Sequence, residues 1–408
     1  MGNHANETRS SFRNLIQSTA AIVTVAISVF LGLIAAPRLW AQAPAGARAA
    51  PSGRPAVAPA PQVKSAVDGV LALSKQKSVV ALGDAHGLAQ EEAFYSALVR
   101  DPRFAEQVGN VVVEFGGSTA QNIIDRYVNG EDVPFTEFRR VWTDVVGWLP
   151  GPFSLGYVNF FANVRAANLK LPADRRIKVW LGDPEVDWSK INSFQDIQPF
   201  LERRDDSVFG IINDEILKKQ KKTLLIIGGG HLLGPELVPS SLPDVGAQIS
   251  KAYPSALAVV SPFIGYTEPE CNAKVVDKAK DWPVPAIAGP IEGTWLKSEL
   301  QLPGCNYIPL QEIDRIKKSV APALAARQTA FQIRMLSGVT ANAILYLGPP
   351  DALTFSSLEP SIYLDSDYFK EMNRRAQCCV PASYSLDWDQ IQQRNSVVPR
   401  KYQVRPFF

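Results

Sequence analysis

The chain is short of several things. Its 42 basic and 40 acidic residues leave a net charge of only +2, so it has no basic face to follow a phosphate backbone. Nucleic acid is therefore not an expected partner. Histidine is scarce, with three in 408 residues, and there is no methionine-rich stretch. The four cysteines are Cys271, Cys305, Cys378 and Cys379, and their spacing fits no common zinc pattern. The sequence shows no internal repeat and no heptad run, which excludes solenoids and coiled coils. Gly228-Gly229-Gly230 is not followed by Lys-Ser/Thr, so it is not a P-loop.

One long apolar run is present, and it lies at the N-terminus. Arg9 and Arg13 precede the uncharged stretch Leu15–Pro37, and Ala41-Gln42-Ala43 supplies a small-x-small site. This is the layout of a secretory signal peptide. An uncleaved membrane anchor is the alternative, because the apolar core Thr19–Ala36 approaches spanning length. Residues 1–43 are thus a signal peptide or an N-terminal anchor. The rest is expected to be exported, periplasmic or secreted, with membrane contact only through this segment. No cysteine lies near the cleavage site, so a lipoprotein signal is lacking. In an exported chain cysteines pair. Cys271 with Cys305 closes a moderate loop and is the expected disulfide, whereas a bond between the neighbours Cys378 and Cys379 would be strained. Free buried thiols are the alternative.

Residues 44–61 are rich in Ala and Pro and read as a disordered linker. The folded region, 62–375, alternates between two periods. Short valine-rich runs at Ser78–Gly83, Asn110–Phe115, Ile177–Gly182 and Thr223–Ile227 read as buried strands. Helical spacing marks Val63–Lys75, Leu88–Val99, Thr119–Val128, Pro134–Val146 and Tyr157–Leu169, and a broken helical region covers Phe194–Lys219. Ala256–Phe263 and Ala343–Leu347 read as further strands. Strands separated by helices predict an α/β fold, a mainly parallel central sheet flanked by helices. Residues 268–327 are Pro-rich and read as an irregular insertion, and 376–408 as a surface tail.

The chemistry gathers at strand ends. Right-handed crossovers would put the C-terminal ends of parallel strands on one rim, where ligands of open α/β sheets bind. Four runs end in reactive side chains: Asp84 and His86, Glu114, Asp183, and His231. Gly83-Asp84-Ala85-His86 and Gly228-Gly229-Gly230-His231 share the form Gly-x-x-His, and glycine there lets the backbone turn sharply. Each residue also has a plainer reading. Asp84 would cap the next helix, and Asp183 before Pro184 would belong to a turn. Glu114 directly after three valines has less reason to sit there unless something pairs with it. Two histidines with carboxylates suit a divalent metal that activates water. They suit equally a metal-free hydrolysis in which histidine takes the proton and a carboxylate fixes its tautomer. The aromatic loop containing Trp148 reads as core or as a lid offering apolar contact to a substrate.

At these residues the chain resembles the superfamily joining erythromycin esterase-like hydrolases, ChaN-like haem-binding proteins and TraB/Tiki-like proteins. Gly83-Asp84-Ala85-His86-Gly87 with Glu91 or Glu92 is similar to the esterase-like Gly-Glu-x-x-His-Gly and the early helical Glu that follows. Val113-Glu114, Arg126-Tyr127-Val128, Leu181-Gly182-Asp183, Arg204-Asp205…Asn213 and His231 follow in the family's order. Asp84 in place of Glu is a departure, as is the compressed spacing between the two histidine blocks. The resemblance implies an exported hydrolase acting on a small-molecule or peptide substrate. In it His86 is general base, Glu114 orients it or binds charge, and His231 is acid or oxyanion stabiliser. Asp84 and Asp183 hold these groups, and Arg204 pairs with an acid or binds a substrate carboxylate. A metal-dependent version would use His86, Glu114 and His231 as ligands. The ChaN branch implies instead a periplasmic haem- or metal-binding protein without turnover.

Overall fold

The computed structural model describes residues 58–147, 154–234, 243–266, 269–300, 341–379 and 400–402. Eight strands form one sheet: β1 (Gln62–Ser65), β2 (Val79–Asp84), β3 (Asn110–Gly117), β4 (Lys178–Asp183), β5 (Thr223–Gly228), β6 (Leu257–Phe263), β7 (Ala286–Gly289) and β8 (Ala343–Tyr346). Their order is β1-β7-β8-β6-β2-β5-β3-β4. From β8 to β4 every neighbouring pair is parallel, and β7 and β1 add an antiparallel edge.

The strands are apolar without alternation because both faces are covered. Val80 and Leu82 of β2, Val111 and Val113 of β3, and Leu224 and Ile226 of β5 enter one core. That core is closed by α2 (Ala89–Arg100), α4 (Gln121–Val128) and α7 (Leu155–Asn168), through Leu98, Ile124, Phe160 and Phe161. The intervening residues Val79, Ala81, Val112, Leu225 and Ile227 face the opposite core, with Val208 of α9 (Arg204–Ile211) and Ile249 of α10 (Val245–Ala252). Strand periodicity of two thus divides one run of valines between two helical layers.

The remaining α-helices among the described residues are α1 (Ala66–Gln76), α3 (Pro102–Gln107), α5 (Phe135–Phe138), α6 (Arg140–Thr143), α8 (Phe194–Glu202), α11 (Pro269–Ala279), α12 (Trp295–Leu300), α13 (Ser361–Leu364) and α14 (Ser366–Cys379). Several expectations change. The first helix begins only at Ala66, because Gln62–Ser65 is an edge strand and Ser65 accepts from the Asp68 N–H as its cap. Pro134–Val146 is two short helices rather than one. The described part of 268–327 is not irregular: it holds α11, β7 and α12, and β7 is an inner strand of the main sheet. The boundary at 376 falls inside α14, and Arg400–Lys401 (β10) return to pair with Thr354–Phe355 (β9).

Cys378 and Cys379 are bonded to each other, contrary to expectation. Cys271 is also disulfide-bonded, and Cys305, its expected partner, lies outside the described residues. The signal or anchor segment and the linker to residue 57 lie outside them too. Among the described residues no helix is long and apolar enough to cross a membrane.

Gly69 shows how tightly α1 sits on the sheet. A β-carbon there would come within 2.6 Å of Ile287 Cγ1 on β7. Helix propensity alone would favour alanine by about 1 kcal/mol. Overpacking against a stiff β-branched neighbour costs about 1–3 kcal/mol and wins. Gly69→Ala should therefore lower the unfolding free energy in urea; a gain would show that the contact is soft.

Candidate functional site

The strands β2, β5, β3 and β4 are consecutive neighbours, so their C-terminal ends line up along one rim. Asp84 closes β2 and Asp183 closes β4. The β3–β4 register shifts between Val113 and Gly117, so Glu114 stands in the irregular part of the pairing. Gly228 closes β5 and leads into the turn Gly229–His231.

Asp84 is a hub. Its Oδ2 meets His86 Nδ1 at 2.6 Å, and its Oδ1 accepts from Tyr95 Oη at 2.8 Å. Tyr157 Oη also donates to Oδ2. The turn is completed by Gly87, at φ +78°, where glycine tolerates the left-handed backbone. Glu91 Oε2 fixes the same turn by accepting the Ala85 N–H at 2.8 Å. The reading of Asp84 as a helix cap fails, because the cap position of α2 is Leu88.

A second cluster centres on Glu114. Arg204 donates through Nη2 to Glu114 Oε1 at 2.6 Å and through Nε to Asp183 Oδ1 at 2.7 Å. Glu114 Oε2 accepts the Gly228 N–H, and Asp183 Oδ2 accepts the Val146 N–H. Next to Arg204 in α9, Asp205 accepts from His231 Nδ1 at 2.7 Å. His231 Nε2 in turn lies 3.4 Å from Glu114 Oε1. The two clusters meet at Gly228. A β-carbon there would sit 2.9 Å from His86 Nε2 and 3.2 Å from Glu114 Oε2. Both groups therefore approach the same bare stretch of backbone.

The clusters differ in charge. Burial acts to raise the Glu114 carboxyl, but Arg204 and then His231 outweigh it and hold it well below the usual range. Burial acts to lower His231, but Asp205 and Glu114 overcome it and raise the imidazole to about 9. At neutral pH His231 is an imidazolium. Burial raises Asp183 despite Arg204. Glu91 and Glu92 are pushed up by burial, Glu92 to about 8.

The structure brings His86, Glu114, His231, Asp84, Asp183 and Arg204 together on one rim. The rings of His86 and His231 keep 21% and 17% exposure, against 2% for Asp84 and 1% for Asp183. The two aspartates are buried against the groups they hydrogen-bond. Arg204 is not a free carboxylate binder, because Nε and Nη2 are spent on Asp183 and Glu114. Trp148 lies outside the described residues. Tyr95, Tyr157 and Asp205 are additions. Tyrosines at helical spacing look like core in a sequence, and Asp205 was visible only beside Arg204 in the family pattern.

His86, Glu114 and His231 do not fit a metal ion as a trio. A cation at Glu114 would sit beside the guanidinium already on Oε1 and the imidazolium facing it. Among the described residues no group of three His, Cys, Asp or Glu is arranged to hold a metal. For haem, His231 Nε2 already faces Glu114 and Arg204.

No family model and no curated protein matches the chain. Among solved structures it is similar to a Bacillus cereus protein at 11% identity, TM-score 0.42, covering 72% of this chain and 93% of that one. It is also similar to the type III effector HopBA1 at 12% identity, TM-score 0.33, with 52% and 90% covered. A structure of bacterial protein toxins matches at 15% identity and TM-score 0.31, with 49% of this chain and 37% of that one covered. Likenesses this low carry no functional argument, which rests on the site itself.

A histidine raised from 6.5 to about 9 adds stability that is complete below pH 6.5 and is lost as the pH climbs through 9. His231 should therefore contribute a fall of about 3 kcal/mol in unfolding free energy over that range. Denaturant melts at several pH values should show this fall in the wild type and a flatter profile in His231→Gln. Parallel profiles would mean that the imidazolium is not held by Asp205 and Glu114.

Proposed function

We propose that this chain is an exported hydrolase of the erythromycin esterase/ChaN/TraB–Tiki type, which activates water at His86 to cleave an ester or amide in a small-molecule or peptide substrate. The observation that carries the reading is the pair of histidines on one rim. Each has Nδ1 on a buried aspartate, with Glu114 between them.

Asp84 accepts at Nδ1 of His86, which assigns the proton to that nitrogen and leaves Nε2 as the base. Tyr95 and Tyr157 hold Asp84 in place, so the ring has one orientation. Nε2 takes a proton from water as the oxygen adds to the carbonyl carbon. Glu114, ionised and fixed by Arg204 and the Gly228 N–H, favours the imidazolium that results. His231, already protonated, stabilises the oxyanion or gives its proton to the departing alcohol or amine. Collapse of the tetrahedral intermediate breaks the C–O or C–N bond. With one histidine as base and the other as acid, the site supplies both proton transfers.

Export is supported by the cysteines. Cys271, Cys378 and Cys379 are all disulfide-bonded, as suits an oxidising compartment.

The test is a panel of esters and amides with and without chelator. Turnover should be indifferent to chelator, and His86→Ala should lose about 10²–10⁴ of it, the usual share of a general base. Glu114→Ala should also lose most of its activity. Wild-type turnover in both variants would overturn the assignment.

A further inference from the structure

Behind Asp84 and His86 lies a second set of acids that the proposed reaction does not use. Glu91 and Glu92 stand in the first turn of α2, and both are fully buried. The ionisable groups set against Glu92 include Glu91 on its own helix, Asp84 on the strand-end turn, Tyr157 on α7 and Tyr402 from the C-terminal return. None of these is a lysine or arginine. Asp84 accepts from Tyr95 and Tyr157 and meets His86 Nδ1. Glu91 Oε1 and Glu92 Oε1 have no hydrogen-bond partner among the described residues. With one oxygen of each unpartnered at that depth, burial pushes both carboxyls up toward the neutral form. Burial, with Asp84 adding to it, pushes Glu92 to about 8 against the Ser154 and Ser356 hydroxyls, which favour its ionised form.

Glu92 is also a joint between three segments. Its Oε2 accepts from Ser154 Oγ at 2.6 Å, and Ser154 caps α7 and bridges to Leu358. The Leu155 N–H donates to Ser357 O at 2.8 Å, and the Ser356 N–H donates to Gly87 O at 2.8 Å. Leu88 bridges to Phe355, and Tyr402 Oη reaches Ala85 O at 3.3 Å. Residues 354–358 are thus laced to the His86 turn on one side and to the start of α7 on the other. A β-carbon on Gly156 would be 2.6 Å from Glu92 Cβ, so α7 has no slack there.

We propose that neutral Glu92 is a positioning residue for His86, holding the 84–87 turn, the start of α7 and residues 354–358 together, and that its ionisation opposes Asp84 and loosens that hold. The inference rests on His86 as the base only for its effect on rate; its effect on the His86 ring stands apart from turnover.

The decisive measurement is the imidazole NMR titration of the full chain. The sequence has only His4, His86 and His231, and His86→Gln identifies the His86 signals. In the wild type those signals should show an extra inflection near pH 8. Glu92→Gln should remove it. Ser154→Ala, which deletes a donor favouring the ionised form, should move it to higher pH. With any substrate found, kcat/KM in the wild type should begin to fall near pH 8, and in Glu92→Gln only near pH 9, where His231 loses its proton. Superimposable His86 titrations in wild type and Glu92→Gln would overturn the proposal. Absence of turnover across all substrates would remove the hydrolase reading and leave the NMR comparison decisive for Glu92.

Discussion

Arg204 bridges two carboxylates that stand on adjacent strands, and the rest of the site depends on that bridge. Glu114 and Asp183 are both buried, and two like charges so close would otherwise drive each other to neutrality. One guanidinium, planar and with donors in a fixed fork, meets both. A close glycine makes this possible: a β-carbon on Gly147 would fall within 2.5 Å of Arg204 Nε, inside the space the guanidinium fills. Removing one partner from such a buried set typically costs roughly 3–5 kcal/mol, because the other charges are left uncompensated. The bridge therefore gives the rim its shape as well as its field.

Both histidines have an aspartate at Nδ1, and their wider surroundings differ. His231 faces a second carboxylate, Glu114, and becomes an imidazolium. Around the Asp84–His86 pair stand two tyrosine hydroxyls on Asp84 and two glutamic acids, Glu91 and Glu92, that burial pushes up. Apart from Glu114, these neighbours come from helices α2, α7 and α9.

That is also where the sequence stopped being readable. Strands β2 to β5 were legible because a parallel, doubly covered strand needs a pure apolar run, and their ends carried His86, Glu114, Asp183 and His231 in plain view. β1 and β7 were not, because each is four residues long and antiparallel, and β7 is set among prolines. Asp183 looked like turn chemistry because its true partners, Val146 and Arg204, lie 37 and 21 residues away. Tyr95 and Tyr157 have the spacing of core residues, and they are core residues in every atom but the hydroxyl. Only the fold shows that both hydroxyls land on one carboxylate.

The return of the chain over the His86 turn bears on how the protein is made. Tyr402 reaches Ala85 across 317 positions, and Thr354 pairs with Gln90 across 264. Contacts so distant along the chain form late, after the cost of closing a long loop has been met. A ribosome that has released strands β2 to β5 has made every histidine and acid of the rim, yet the turn that aims His86 still lacks its outer wall. The site thus matures only once the polypeptide has reached Tyr402. A chain threaded unfolded across a membrane would pass its compartment of synthesis before it could act there.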